Sequence, residues 1–152
     1  DPGLGADLFD DAYLCDTGRE IEGVTIWGSP WQPWFYDWAF NLPRGEALRE
    51  KWAMIPAGID VLVTHGPPQG ILDRTVVGED VGCEELLAAL TRVRPRLHVF
   101  GHIHEAYGTQ RIGGTLYVNA SNCTLDYEPN NAPVVVDLPA DRAQPAVLVS
   151  GR

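Results

Sequence analysis

The sequence predicts an α/β protein with a mixed β-sheet, folded as a single domain over residues 1–152. Three observations support this fold class. Near-continuous apolar segments indicate buried strands, segments of helical period lie between them, and short β-rich segments with glycine turns follow. Alternating strands and helices that end in antiparallel strands are typical of an α/β architecture. A chain of this length can bury the core of one domain.

The first strands are expected after an acidic, weakly patterned lead-in over residues 1–20, with a short strand near residues 12–15. The segment GVTIWGSP has the period-two, β-branched pattern of a strand that ends in a turn. The following segment, WQPWFYDWAFNLPRG, contains three tryptophans and two prolines. Its apolar residues have no regular period, so we expect a loop rather than a helix.

Two segments have helical periodicity. In EALREKWAMI the apolar residues lie three or four positions apart, and Gly58 is expected to stop the helix. In CEELLAALTRV two glutamates occupy the first turn, where the helix dipole favours negative charge. The residues expected to face the core are Leu48, Trp52 and Ile55 of the first helix and Leu86, Leu87, Leu90 and Val93 of the second.

The later strands end in loops that contain glycine. IDVLVTHGPP and RLHVF are apolar enough for buried strands, and each leads into a glycine. A hairpin is expected over residues 108–119 with its turn at Gly113–Gly114, and PVVVDL predicts a further strand. Ligands of open α/β sheets tend to bind at the carboxyl edge where such loops lie.

Charge and cysteine content narrow the classes of partner. The chain has 11 basic and 21 acidic residues, a net charge of −10, which disfavours nucleic-acid polymers and anionic membranes. A small phosphate ester is not excluded as a substrate, because metal ions can supply local positive charge. Cys15, Cys83 and Cys123 form no Cys-x-x-Cys pair and are expected to be reduced thiols. With no apolar run of membrane-spanning length, a cytoplasmic protein is expected.

Three of the four histidines follow strands. His65 ends one predicted strand, and His102 and His104 follow the next. A right-handed crossover through the intervening helix would make these strands neighbours and bring the three imidazoles together. Imidazole is a good ligand for Mn, Fe, Zn or Ni. A lone His-x-His occurs often by chance, but three histidines at two strand ends beside glycines favour a metal site. His98 alternates inside its strand and is expected in the core.

These motifs resemble a known family. THGPP followed downstream by FGHIHE is similar to the last two metal-binding blocks of calcineurin-like metallophosphoesterases. The segments GSPWQPWFYDWAFNLPRG, VGCEELL, RPRLHVFGHIHEAYG and YVNAS extend the resemblance to the MPPED-type class III phosphodiesterases over nearly the whole chain. The resemblance implies the C-terminal part of a four-layer α/β/β/α sandwich with a mixed sheet.

The resemblance also implies a dinuclear metal site. Its two divalent ions, with Mn favoured and Mg, Fe or Zn as alternatives, share a bridging carboxylate and a hydroxide. His65 and His102 would bind one ion and His104 the other. The implied substrate is a small phosphodiester or nucleotide, cyclic nucleotides included.

Other parts of the family pattern are not found in this chain. The Asp-x-His, Gly-Asp and Gly-Asn-His blocks are absent, so no proton-donating histidine is assigned, and Asp73 and Asp80 are expected to be surface charges. Since the chain begins at Asp1 and its only methionine is Met54, we expect an N-terminally truncated domain. Such a domain would bind metal weakly and could self-associate through an exposed sheet face.

Several roles stay open at this point. Arg44 could contact a substrate phosphate or form a salt bridge, and Asn119 could line the site or cap a turn. The tryptophans of the irregular segment could stack on a base or pack as a lid. For the whole chain, the alternative is a catalytically incomplete fragment or a non-catalytic binding or scaffold homologue. A metallo-β-lactamase-type hydrolase is disfavoured, because Glu105-Ala106 stands where an Asp-His pair is normal.

Overall fold

The computed structural model describes residues 12–151, and its centre is a mixed six-stranded sheet with the order β1-β2-β5-β6-β8-β7. Two further two-stranded sheets pair β3 with β4 and β9 with β10. The strands are β1 (Thr17–Ile21), β2 (Val24–Ser29), β3 (Gln32–Pro33), β4 (Asn41–Leu42), β5 (Val61–Thr64), β6 (Leu97–Phe100), β7 (Gly108–Ile112), β8 (Thr115–Asn119), β9 (Val135–Asp137) and β10 (Val147–Ser150). The helices are α1 (Glu46–Ala53), α2 (Glu84–Val93) and a 3-10 helix (His104–Ala106).

The sheet topology sets the two histidine loops side by side. Strands β2, β5, β6 and β8 are parallel, and β1 and β7 are antiparallel edge strands. The crossover from β5 to β6 contains α2, and the two strands pair in the register Leu62↔His98. Their carboxyl ends therefore meet at one edge of the sheet, as the sequence predicts. The α/β class, the mixed sheet and the hairpin of β7 and β8 are confirmed.

One face of the sheet is covered by α1 and α2. Its largest buried side chain is Trp52, whose indole Nε1 donates to the Sγ of Cys83, 3.3 Å away. Cys83 caps α2 by accepting from the backbone N–H of Leu86, and burial raises the pKa of its thiol to about 11. The buried cluster on this face contains Leu48, Trp52, Ile55, Ile59, Leu62, Ile71, Cys83, Leu86, Leu90, Val93, Phe100 and Tyr117.

The opposite face of the sheet is only partly covered. Its buried cluster is small and packs against the segment that carries β9. Val63 of β5 is 39% exposed on this face, and Val149 of β10, which pairs with β9, is 63% exposed. The residues of this cluster are Leu97, Leu116, Val118 and Ala146.

Two sequence predictions about single residues are wrong. Leu87 is 38% exposed, because α2 sets Leu86 and Leu90 against the sheet and leaves Leu87 at the edge of that contact. Asp73 is buried, because its Oδ2 accepts from the backbone N–H groups of Gly70 and Gly82, both at 2.8 Å, and so closes the loop after β5.

The first strand is β1 at residues 17–21, later than predicted, and β10 was not predicted. The segment TGREI of β1 is largely exposed, so it has no apolar alternation for the pattern to detect. Residues 1–11 of the expected lead-in lie outside the described residues. No helix within the described part of the chain is long and apolar enough to cross a membrane.

Candidate metal site

The structure brings His65 and His102 into contact at the carboxyl edge of the sheet. Their Nε2 and Nδ1 atoms form a hydrogen bond of 3.1 Å between the two rings, whose centroids are 4.8 Å apart. The backbone N–H of Gly101 donates to the carbonyl of His65 at 3.0 Å, which ties the two loops together. His102 has a positive φ of 72°, so its ring leaves the strand direction and turns towards His65.

Both rings of this pair are held neutral. Partial burial lowers the pKa of His65. Burial, together with the neighbouring His65 and His104, lowers the pKa of His102 to about 4. A neutral imidazole has a nitrogen lone pair, which a metal ligand requires. Two nitrogens about 2.1 Å from one ion, at tetrahedral or octahedral angles, lie about 3.0–3.4 Å apart. The observed separation matches two ligands of one ion.

His104 has a different orientation. Its Nδ1 lies 2.9 Å from the carbonyl oxygen of Thr124, and a carbonyl can only accept, so Nδ1 has the proton. The lone pair is therefore on Nε2. Metal-ligating histidines usually bind in this way, with the second ring nitrogen donating to a carbonyl or carboxylate. The ring also packs edge-on to Tyr127, with centroids 5.4 Å apart.

The buried side chains of Thr64 and His98 support the turn that carries His65. The hydroxyl of Thr64 donates to the carbonyl of Gly66 at 2.8 Å, so it must accept from the Nε2–H of His98, 2.9 Å away. His98 is fully buried, as predicted, and burial lowers its pKa to about 3. Its Nδ1 has no partner among residues 12–151. His98 therefore fixes the turn next to His65 without entering the site.

Asn119 holds the second histidine loop. Its side chain is completely buried, and its Nδ2 donates to the carbonyls of Ile103 at 2.8 Å and Leu72 at 3.2 Å. Its Oδ1 accepts from the backbone N–H of Ser121 at 3.1 Å. Ile103 lies between His102 and His104, so Asn119 sets the position of both.

Arg44 lies on the wall of a cavity of about 220 Å³ that also contacts His102. Its guanidinium donates to the carbonyls of Gly82 at 2.8 Å and Val81 at 2.9 Å, which joins the tryptophan-rich segment to the loop before α2. Sequence reasoning left open a phosphate contact or a salt bridge. The contacts of its Nη atoms in the structure are with backbone carbonyls.

Sequence reasoning missed Phe35 and Gln32, which line the same cavity. Phe35 packs edge-on to His102, with ring centroids 4.8 Å apart. The two residues are far apart in the chain, so no local pattern could indicate this contact. The density of aromatic residues in the irregular segment was the available signal.

The side chains at this site provide some of the ligands that a divalent ion needs, but not a full set. His65 and His102 offer two neutral nitrogens at the spacing of shared ligands. Nearby carboxylates are engaged elsewhere: Asp73 closes its own loop, and Glu105 accepts from the backbone N–H of Val76 at 3.0 Å. Over residues 12–151, no group of three or more His, Cys, Asp or Glu side chains is arranged to hold a metal ion.

Comparison with known proteins supports the same class. No protein-family model matches the chain. The chain is 59% identical over 132 residues to "Metallophosphoesterase domain-containing protein 1" of Homo sapiens and Mus musculus, which is 86% of this chain and 40% of each relative. A UPF0046 protein of Caenorhabditis elegans is 50% identical over 135 residues, 88% of this chain and 34% of that protein. One solved crystal structure, 18% identical, has a TM-score of 0.57 over 76% of this chain and 49% of that chain, which supports the fold.

The mixed sheet and these relatives define a metallophosphoesterase-type protein. The chain belongs to the family of the metallophosphoesterase domain-containing proteins and their UPF0046 relatives. It spans about 40% of the length of the human and mouse relatives. The sheet and its two helices are consistent with the C-terminal part of the family's α/β/β/α sandwich, so the predicted family and fold are confirmed.

Proposed function

We propose that this chain supplies the C-terminal histidines of a divalent-metal-dependent phosphoesterase that hydrolyses phosphodiesters, with cyclic nucleotides as candidate substrates. The observation that supports this most directly is the neutral His65–His102 pair, with its nitrogens 3.1 Å apart at the carboxyl edge of the sheet. The family supports a hydrolase and divalent metals in general terms. A cytoplasmic location is part of the proposal and is supported by three free cysteines.

In this proposal Nε2 of His65 and Nδ1 of His102 would hold one ion, and Nε2 of His104 would hold the second. Bound divalent ions would supply a nucleophile at neutral pH and stabilise the charge of the phosphoryl oxygens. The nitrogen donors favour Mn, Fe or Zn over Mg, which prefers oxygen ligands. Thr64, His98 and Asn119 keep the two loops in register, so that the rings are in place before an ion binds.

Arg44 and Asn119 are proposed to contribute in different ways, Arg44 through its charge near the substrate and Asn119 through the histidine loop. The net charge of −10 would repel a phosphate ester, so the bound ions must attract it. Arg44 places its positive charge on the cavity wall beside His102. Asn119 has its side-chain groups bonded within the chain, so it acts through the position of the histidine loop.

The test is Mn²⁺-dependent hydrolysis of bis(p-nitrophenyl) phosphate, with Mn²⁺ and Zn²⁺ binding measured in parallel by calorimetry. We expect the His65→Ala/His104→Ala double variant to lose most of the metal binding. Because Val77 is 76% exposed and has no side-chain nitrogen or oxygen, Val77→Ala is the control and should bind as the unmodified chain does. Unchanged binding in the double variant would contradict the proposal.

A second candidate is a non-catalytic binding or scaffold protein. The absence of a complete metal-holding group within residues 12–151 favours it for this chain taken alone. Metal binding that depends on His65 and His104 but gives no hydrolysis with any of Mn²⁺, Mg²⁺ or Zn²⁺ would support this candidate. Metal-dependent turnover that is lost in the double variant would exclude it.

A further inference from the structure

We propose that the groove between α2 and the β7–β8 hairpin docks an extended segment of a partner protein that is acidic and also carries apolar side chains. The groove reaches the amino ends of β6 and β8, where Arg96 and Thr115 line it. The histidine loops follow the carboxyl ends of the strands, and none of the described residues that line the groove is a histidine. The inference therefore goes beyond the proposed function and depends on neither metal nor hydrolysis.

The groove has apolar walls that are open to solvent. Leu87 and Leu90 of α2 line it from the helix, and Ile112 and Tyr117 line it from the hairpin. Leu87 is 38% exposed and Ile112 is 44% exposed, so both offer apolar surface to a partner. The volume is about 1120 Å³, above the range of about 300–1,000 Å³ that is common for small-molecule sites. A peptide segment of several residues fits this volume better than a small ion does.

The charge of the groove is opposite to that of the chain. Four of the chain's 11 Lys and Arg residues line it, although the net charge is −10. No described Asp or Glu lines it. Arg96 and Arg142 share one buried partner, because their guanidinium groups lie 3.3 and 3.2 Å from the Oδ1 of Asp60. With Arg94 and Arg111 added, the groove has an excess of positive charge that complements an acidic segment.

Arg94 and Arg111 have guanidinium groups that are available to a partner. The Nε of Arg94 donates to the carbonyl of Thr91 at 2.9 Å, and the Nη2 of Arg111 donates to the carbonyl of Ala146. Within residues 12–151 neither side chain forms an ion pair. A guanidinium has five N–H donors and pairs well with carboxylates. Both arginines can therefore bind carboxylates without breaking an ion pair.

The backbone at Arg94 supports a role for its side chain. Arg94 caps the C-terminus of α2 with φ 47° and ψ 57°, the left-handed conformation in which glycine is favoured. A cation at this end of a helix is favourable on its own. The two explanations make different predictions for Arg94→Gly. A purely structural role predicts a less stable fold, whereas a docking role predicts a fold of equal or greater stability that has lost affinity for the partner.

An acidic peptide fits the groove better than a nucleic acid does. Single-stranded nucleic acids bind by stacking their bases on exposed aromatic rings. Tyr117, the aromatic residue among the lining side chains, is only 6% exposed. The net charge of −10 repels a long polyanion, whereas a short segment lies against the local positive charge. Inorganic phosphate would leave the apolar walls unfilled.

The first experiment varies the ligand and leaves the protein intact. An array of synthetic peptides is made in three classes: acidic and apolar residues mixed, acidic residues with serine, and basic residues with the same apolar ones. Fluorescence anisotropy measures their affinities for the chain. We expect the best peptides of the first class to bind about tenfold more tightly than the best of either other class. Equal binding by the three classes would overturn the inference, and so would displacement of the best peptide by a short oligothymidylate.

The second experiment varies the arginine at the end of α2. Arg94→Gly is expected to weaken binding of the best peptide about fivefold without lowering the midpoint of urea denaturation. Arg49→Ala is the matched control, because it removes an exposed positive charge of α1 that does not line the groove. Equal effects of the two variants on affinity would contradict the role of the groove. A lower midpoint with unchanged affinity would show that Arg94 is purely structural.

The third experiment varies the apolar wall. Leu87→Glu places a negative charge beside the bound segment and is expected to weaken it about tenfold. Val76→Glu is its control, because Val76 is 70% exposed and does not line the groove. Equal loss of affinity in the two variants would overturn the inference, whatever Arg94→Gly does to the fold.

Failure of this inference differs from failure of the proposed function. Leu87→Glu and Arg94→Gly should bind Mn²⁺ and Zn²⁺ as the unmodified chain does. Loss of metal binding together with peptide binding would mean that these variants act on the whole fold, and the docking role would be wrong. Peptide binding in the His65→Ala/His104→Ala variant would support the groove even if no metal-dependent hydrolysis is found.

Discussion

The two faces of the central sheet differ in how completely they are packed. Under α1 and α2, Leu62, Phe100 and Tyr117 of three neighbouring strands join one continuous buried cluster. On the opposite face, Leu97, Leu116 and Val118 form a small cluster and Val63 stays exposed. Val149 of β10, in the separate two-stranded sheet, is exposed as well.

The residues that support the histidine loops belong to the packed face. His98 pairs in register with Leu62 and Tyr117, and its ring packs edge-on to Phe100 and Tyr117. The candidate site is thus held by the part of the molecule whose core is complete. The other face is a surface on which more protein could pack, and it contributes little to the loops. Mutations on the two faces should therefore have unequal effects.

The largest effect is expected for Trp52→Ala on the packed face. It should lower the free energy of unfolding by about 3–5 kcal/mol, because it opens a cavity in the core. The hydrogen bond to Cys83 is lost as well. Urea denaturation gives the value. Trp38→Ala, at an exposed tryptophan, should change it by less than about 0.5 kcal/mol. Similar values for both variants would mean that the packed face is not the source of stability.

Asn119→Ala should lower the free energy of unfolding by about 2–3 kcal/mol, because the carbonyls of Ile103 and Leu72 lose their donor. It should also weaken Zn²⁺ binding, since the loop between His102 and His104 is released. Asn130→Ala is the control, because Asn130 is exposed and bonds only within its own loop. An Asn119→Ala variant with unchanged stability and unchanged Zn²⁺ affinity would contradict the positioning role.

His98 should make stability depend on pH. The unfolded chain protonates this residue near its ordinary pKa of 6.5, whereas the folded protein takes up the proton only near 3. Stability is therefore complete above 6.5 and is lost as pH falls towards 3, with a slope of about 1.4 kcal/mol per pH unit from this group.

The variant His98→Gln can still donate to the hydroxyl of Thr64 but does not titrate. Denaturation curves from pH 7 to pH 4 should be flatter for the variant by about that slope. An identical pH dependence for the two proteins would mean that His98 is not held neutral by burial.

The smallest effect on stability is expected on the open face. We propose that this face, together with the exposed strand β10, makes the isolated chain self-associate. Val149→Lys should shift the chain towards monomer while changing the free energy of unfolding by less than about 0.5 kcal/mol. Sedimentation velocity measures the shift. Val77→Lys is the matched control, because Val77 is equally apolar and 76% exposed but lies in a turn outside the strands. If the wild-type chain is monomeric at all concentrations tested, the open face does not cause self-association, and this proposal is wrong.

Sequence reasoning predicted the elements in which apolar residues repeat with a clear period. Strands β5 and β6, helix α2 and the hairpin of β7 and β8 were placed correctly, because their buried residues follow one another at regular spacing. Helix α1 was predicted too long, because it ends at Ala53 and not at Gly58. Strand β1 is polar and lies at an edge, so it has no such pattern. Leu87 was wrongly predicted to be buried, because helical spacing does not show how far the sheet extends beneath the helix.

The candidate site was predictable only in part. The topology rule for parallel strands placed His65 beside His102, and the structure agrees. The role of Asp73 depends on two backbone N–H groups that come together only when its loop closes. The packing of Phe35 on His102 joins distant parts of the chain, and no local period reports such a contact.

The most direct test of the central claim is a Zn²⁺ titration followed by the ¹⁵N resonances of the imidazole rings. The account predicts that Nε2 of His65 and Nδ1 of His102 shift together as one ion binds, while both nitrogens of His98 keep their positions. If His65 and His102 retain their mutual hydrogen bond at saturating Zn²⁺, or shift at separate concentrations, the pair is not a shared metal site and the account is wrong.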